Sequence, residues 1–326
     1  MGAGWKVRRV GPIVTPGMDA RMGHNIQGPS LIRVPDWVPD PLGRYYLYFA
    51  DHKGSYIRLA HADAVEGPWR VHPPGSLDLR DSLFLTAPPP RPAEAAQGDV
   101  LPGRAPPGTP GLPDPEEDAS APHIASPDVH VDDAGRRIVM YFHGLCAWNT
   151  QRTRVALSAD GLRFRAMPEL LGPSYFRVFR HGGASYALAM PGILFRSADG
   201  LTGFERGPVL FPDGLQRHTA LLVRDGVLHV FWTRVTDAPE SILHSTVRLD
   251  GDWRDWRAEG EAVLLRPEEE WEGGALPNAP SWRSSINLPV RQLRDPAVFE
   301  EDGRTWLLYA VQGEAGIALA ELTWQA

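Results

Sequence analysis

The chain has 326 residues, enough for two ordinary domains or one large all-β domain. A hydrophobic fraction of 43%, a charged fraction of 22% and a net charge of -7 fit a globular protein and argue against nucleic acid as the main partner, since phosphate binding needs a basic surface. No run approaches the roughly 18 apolar residues of a membrane span, and the first ten residues hold no apolar core of secretory length, so a cytoplasmic protein without membrane contact is expected.

Taken in order, the chain repeats one pattern. Residues 25–34 read as a short strand, 44–50 as an aromatic strand carrying Tyr45, Tyr46, Tyr48 and Phe49, and 56–62 and 67–71 as two more. Residues 78–122 break the rhythm with dense Pro, Ala and Gly and an acidic run at 114–118. A loop of this length is a solvated insertion or a lid. The pattern resumes at 123–131, turns at Asp132-Asp133-Ala134-Gly135, and continues through 137–144, 154–158, the Asp160-Gly161 hairpin turn and 163–165. A third unit covers 175–179, 185–190, 193–197, the turn Asp199-Gly200 and 204–205. A fourth covers 217–223, 227–232, 242–246 and 253–256, and a fifth covers 294–299, 305–310 and 316–320.

Helical periodicity is nearly absent, and the recurrence is roughly 40 residues. The expected fold is all-β: a five-bladed β-propeller with four antiparallel strands per blade, forming one domain over 1–326 with 78–122 inserted between blades one and two. The fifth unit ends before its fourth strand. An open edge would leave backbone donors and acceptors unpaired, so the N-terminal stretch 5–10 is expected to complete the last blade. A two-sheet sandwich accounts for the recurrence less well.

In a propeller the first strand of each blade lines the axis, and first-strand starts share a face with second-strand ends. Aligned on their apolar residues, the five starts place Gly28, Ser126, Tyr175, His218 and Asp295 in a ring, with Asn25, Gln27, Arg217 and Arg294 just upstream. The second-strand ends add Asp51, His52, His143, Arg234, Gln312 and Glu314. Ionisable groups enclosed together acquire shifted pKa values suited to chemistry. No His-x-x-x-His helix or cysteine pair points to a metal, and no phosphate-cradling glycine loop points to a nucleotide, so neither metal nor cofactor is expected. The single cysteine, Cys146, allows no disulfide framework and has no ordered Cys/His/Asn signature around it.

The phrases Gly28-Pro29-Ser30-Leu31-Ile32, Ser126-Pro127-Asp128-Val129 and Arg294-Asp295-Pro296-Ala297-Val298-Phe299 resemble the blade-start motifs of five-bladed glycosidases, as do the aromatic second strands. The relatives are glycoside hydrolase family 43 and the neighbouring families 32, 68, 117 and 130, and the resemblance spans the chain apart from the proline-rich insertion. It implies an aspartate base or nucleophile at a first-blade Asp-Pro, a middle-blade glutamate acid and a third aspartate that tunes the acid. Here the first-blade position is Gly28, the middle ones are Tyr175 and His218, and only Asp295 keeps the Asp-Pro.

The expected catalytic set is therefore Asp295 as base or nucleophile, Glu314 or Asp128 as acid, and His218 with His143 binding hydroxyls or assisting proton transfer. Asp51 and Glu240 are the remaining carboxylates from which the pair flanking a glycosidic bond could come. Arg177, Arg217 and Arg294 are expected to hold an anionic or hydroxyl-rich group, and Asn25, Gln27, His52, Tyr175 and Arg234 to complete the binding surface. The expected reaction is cleavage of a small glycoside or oligosaccharide. The alternatives are a non-catalytic carbohydrate-binding propeller, or acid/base chemistry of another kind (a lyase, isomerase or cyclase) using His218 and Tyr175. The expected partner is a small carbohydrate; the oligomeric state is not legible.

Overall fold

The computed structural model describes residues 4–92 and 101–325; residues 93–100, part of the expected insertion, lie outside them. Five four-stranded antiparallel sheets stand around a common axis as the blades of a propeller. Blade one runs from β2 (Gln27–Arg33) through β3 (Tyr45–Ala50) and β4 (Tyr56–Ala62) to β5 (Arg70–Asp78). Blade two is β6 (Ile124–Asp132), β7 (Arg137–Ala147), β8 (Thr150–Ser158) and β9 (Arg165–Ala166). Blade three is β10 (Arg177–His181), β11 (Ala184–Ala189), β12 (Ile193–Ser197) and β13 (Glu205–Val209). Blade four is β14 (Gln216–Arg224), β15 (Val227–Arg234), β16 (Ile242–Arg248) and β17 (Glu259–Leu265). Blade five is β18 (Arg294–Glu301), β19 (Arg304–Ala310), β20 (Ile317–Gln325) and, as its outer strand, β1 (Gly4–Val14). The N-terminus thus closes the ring as the unfinished fifth unit required.

Each second strand is buried on both faces because its blade is sandwiched between two others, which explains the near-continuous apolar runs at Tyr45–Ala50 and in β7. The core divides into five hydrophobic clusters. Tyr46, Tyr48, Ile138 and Phe142 join blades one and two, for example, and Phe231, Leu307 and Tyr309 join blades four and five. One polar device repeats. The Tyr48 hydroxyl of blade one donates to the Gly161 carbonyl (2.8 Å) in the Asp-Gly turn of blade two, and Tyr141 of blade two donates to Gly200 (2.5 Å) in the matching turn of blade three.

One outer strand departs from expectation. Residues 253–256 are not the edge of blade four. Trp253–Asp255 is a 3₁₀ turn whose leading Asp252 side chain accepts from the Arg254 amide, and the outer strand is β17. Burial explains the difference: Trp253 and Trp256 pack against Tyr186 of blade three with ring centroids 5.9 and 5.0 Å away. Aromatic area buried at a blade junction outweighs the strand tendency of these residues.

Candidate functional site

The axial ring is built by a repeated irregularity. In β2, β6, β14 and β18 the register skips two inner-strand residues at equivalent places: 28–29, 126–127, 217–218 and 295–296. Such bulges bend the strand and re-aim side chains. Pro29, Pro127 and Pro296 occupy these gaps, where no ladder hydrogen bond is lost. Gly28, Ser126, Tyr175 and Asp295 all take left-handed φ values, from 46 to 64°. For three non-glycine residues that conformation is a cost characteristic of functional sites. A side chain at Gly28 is strained at this φ and crowds the neighbouring blade, because a Cβ there would lie 3.0 Å from Ser126 Cα. The position at which the sequence resemblance implies an aspartate is thus crowded by the neighbouring backbone.

Asp295 and His218 meet at the axis, both with no solvent exposure. The Asp295 amide donates to His218 Nδ1 (3.2 Å), which puts the imidazole proton on Nε2, and Nε2 stands 3.4 Å from Asp295 Oδ1. Neither carboxyl oxygen of Asp295 has a hydrogen-bond partner. Burial, reinforced by the charge of Glu314, pushes the Asp295 carboxyl up to about 8, so it is mostly protonated at neutral pH. Burial and then the Arg217 and Arg294 cations push His218 well below the ordinary histidine value, which keeps it neutral. A row of buried rings continues from there. Tyr175 lies 5.0 Å from His218 and 4.5 Å from His143, and His143 lies 6.0 Å from His123. The Tyr175 hydroxyl and both nitrogens of His143 lack partners.

Beside this row sits a buried ion cluster. Glu314 receives Arg294 (2.7 Å), His52 Nδ1 (3.1 Å) and Asn25 Nδ2 (2.7 Å), and Arg217 stands at 3.7 Å. Glu240 receives Arg294 (3.1 Å) and Arg217 (3.3 Å). Burial alone would raise the Glu314 carboxyl, but His52, Arg294 and Arg217 together hold it well below the usual carboxylate range. Glu314 is therefore an ionised group in a fixed cage.

The remaining expected residues separate. Gln27 accepts from the Ser126 hydroxyl (3.3 Å) at the ring. Asp51 stands at a corner, 3.5 Å from Arg58 and bonded to the Lys53 amide. Arg177 donates to the carbonyls of Thr219, Ser126 and Pro127, tying three inner strands together. Asp128 does not join Asp295. It accepts from the Val178 amide (2.8 Å) and His130 Nε2 (2.8 Å) and opens on the opposite mouth of the axis, beside Trp37 and Arg33. Only Pro127 separates Asp128 from the ring residue Ser126, but the bulge at 126–127 breaks the alternation, so Asp128 points away from the funnel. Arg234 turns outward over the Trp232 ring to Glu261 and Asp213.

Above the ring is a cavity of about 370 Å³ whose floor includes His52, Tyr175 and Arg217. Asp295, fully buried, is not among the residues that line it. The cavity roof comes from two long connections, residues of the insertion between 101 and 118 and Arg283 with Ser284 of the later one. They are joined by Arg283 N to Gly103 O (2.8 Å) and Asn287 N to Gly111 O (2.8 Å). Asp118 in the insertion pairs with Lys53 (2.9 Å) and accepts from Ser284 (3.0 Å). The insertion thus covers the shared end of the blades. Lys53, Asp118, Arg283 and Ser284 escaped sequence reasoning because neither connection has strand periodicity to assign its residues a face. Among the described residues no group of three His, Cys, Asp or Glu side chains is placed to hold a metal ion, and no helix is long and apolar enough to cross a membrane.

No protein-family model matches the chain. A putative glycosidase from Bacteroides thetaiotaomicron superposes with a TM-score of 0.60 at 13% identity, over 97% of this chain and 96% of that one. A family-43 β-xylosidase/α-arabinofuranosidase from a compost microbial metagenome gives 0.55 at 12% identity, over 99% and 96%. A family-43 enzyme from Xanthomonas citri gives 0.55 at 11%, over 98% and 92%. These likenesses establish the fold. In sequence, the uncharacterized protein R118 of Acanthamoeba polyphaga mimivirus is 34% identical over 323 residues, 91% of this chain and 83% of that protein. The chain belongs to the family of that mimivirus protein and has the five-bladed propeller fold of the family-43 glycosidases.

Proposed function

We propose that the protein is a carbohydrate-active hydrolase of the glycosidase type, cleaving a small glycoside held in the roofed cavity, with Asp295 as the proton donor. The observation that carries this reading is the Asp295 carboxyl: buried, unpartnered at both oxygens and pushed up to about 8 beside a neutral histidine. A carboxyl that is still protonated at neutral pH is what a leaving glycosidic oxygen requires. Sequence alone points to Asp295 as base or nucleophile and to Glu314 or Asp128 as acid; the raised Asp295 carboxyl fits the donor role better, and the caged, ionised Glu314 supplies the second carboxylate. His218, with its proton on Nε2, stands 3.4 Å from Asp295 Oδ1 as a neutral neighbour. Among proteins of this fold, the β-xylosidase/α-arabinofuranosidase holds xylotriose, which supports a sugar as the ligand.

The test is turnover of a panel of aryl glycosides. Asp295→Asn is expected to lower turnover by about 10²-fold or more, with the fold intact by circular dichroism. Undiminished turnover in that variant removes Asp295 from the mechanism. A second reading, sugar binding without turnover, is favoured by the absence of Asp295 from the cavity lining. Calorimetric binding of sugars with no hydrolysis of any aryl glycoside selects it.

A further inference from the structure

The cavity wall carries a feature that glycoside cleavage does not use. Arg283 is clamped by backbone carbonyls: its Nε donates to Pro102 O (2.7 Å), and its Nη2 donates to Gly214 O (2.5 Å) and Gln216 O (3.1 Å). Its Nη1 is buried and has no acceptor, and among the described residues Arg283 makes no ion pair. The Tyr175 hydroxyl, also buried, lacks a partner and lines the same cavity. Two stranded donors thus border one cavity.

The other charges nearby do not answer them. Arg217 is taken up by Glu240, Glu314 and the carbonyls of Trp282 and Ser284. Of the carboxylates lining the cavity, Asp118 is engaged by Lys53 and Ser284, and Asp114 accepts from the amides of Glu116 and Glu117. Burial and then the cation of Arg217 push the Arg283 guanidinium down to about 10 against the opposing charges of Glu240 and Asp213, and a negative ligand at Nη1 would push it back up. A buried guanidinium nitrogen without an acceptor is costly, and an oxyanion satisfies it with a charge-assisted hydrogen bond.

We propose that Arg283 and Tyr175 form a subsite for the carboxylate or phosphate of an acidic sugar. The proposal rests on the reading that the cavity holds the sugar, and it selects the substrate class: anionic rather than neutral glycosides. Arg177, Arg217 and Arg294, expected from sequence to hold an anionic or hydroxyl-rich group, are occupied by axial carbonyls and by Glu314 and Glu240, so the anion role moves to Arg283.

The test is calorimetry at pH 7 with the pairs glucuronate and glucose, galacturonate and galactose, and glucose 6-phosphate and glucose, with inorganic phosphate alone as a further arm. At least one acidic sugar is expected to bind about tenfold or more tightly than its neutral partner. Arg283→Gln is expected to abolish that preference, read as the ratio of acidic to neutral affinity within the variant, and Tyr175→Phe to weaken it several-fold. If Arg283→Gln melts early, Tyr175→Phe, which removes one hydroxyl only, decides. No preference in any pair, or a preference that survives both substitutions, overturns the proposal. Inorganic phosphate binding as tightly as glucose 6-phosphate overturns its sugar part. Hydrolysis is not the readout, so a failed anion subsite and a failed glycosidase reading are told apart by turnover of an aryl glycoside panel that includes aryl uronides beside the neutral sugars.

Discussion

Asp295 couples chemistry and stability through one ionisation. Its folded value of about 8 lies above that of a free aspartate, about 3.9. The native state therefore binds the extra proton between those values. The stability this contributes is complete below about pH 4 and is lost as pH rises towards about 8. Thermal melts at pH 5 and pH 8.5 are expected to show the wild type weakening with pH, and Asp295→Asn losing that part of the slope. If Asp295 donates the proton, turnover falls above about pH 8 in the same variant-dependent way. Gly28 carries a different constraint. With φ of 64° and Ser126 Cα 3.0 Å from where a Cβ would stand, Gly28→Ala combines left-handed strain of about 1–2 kcal/mol with overpacking. A clear loss of denaturant midpoint is the expected result, and an unchanged midpoint would show that the ring can widen. Gly28→Asp is expected to meet the same strain and crowding.

The blades are held to one another by devices that recur, and recurrence makes them testable. Tyr48→Phe and Tyr141→Phe each remove a hydroxyl that donates to the turn of the next blade. Each is expected to cost about 1 kcal/mol, and the double substitution to cost the sum if the junctions act independently. The Asp-Gly turns were readable from sequence because only glycine enters their left-handed position freely; that a tyrosine from the previous blade lands on them was not. The same holds for the bulges. The X-Pro dipeptides at 28–29, 126–127 and 295–296 are visible, and proline inside a strand marks an irregularity. At 217–218 no proline announces the bulge, and at Tyr175 the strand starts two residues later than alternation suggests. β1 closes blade five, so removal of its residues is expected to expose the edge of β20 and to lower the melting temperature by on the order of 10 °C, with aggregation.

At the scale of the whole molecule, the ion cluster draws on blades four and five and on the connections around them. Glu314→Gln leaves Arg294 and Arg217 short of a counter-charge in a region with almost no exposure. Breaking such a pair by removing one partner costs about 3–5 kcal/mol, measurable as a shifted urea midpoint. A cost near zero would show that Glu240 compensates alone. By itself the sequence determined the repeat, the all-β class, the closure by the N-terminal strand and the meeting of His218 with Asp295. Alternation, turn residues and strand polarity are local, and a ring needs only their repetition. Only the tertiary structure decided that Asp128 faces the far mouth, because a two-residue bulge reverses nothing in composition yet redirects a side chain. It also decided that the insertion and the segment carrying Arg283 roof the cavity. Those connections lack periodicity, so the face each residue takes is set by what packs against it across the axis.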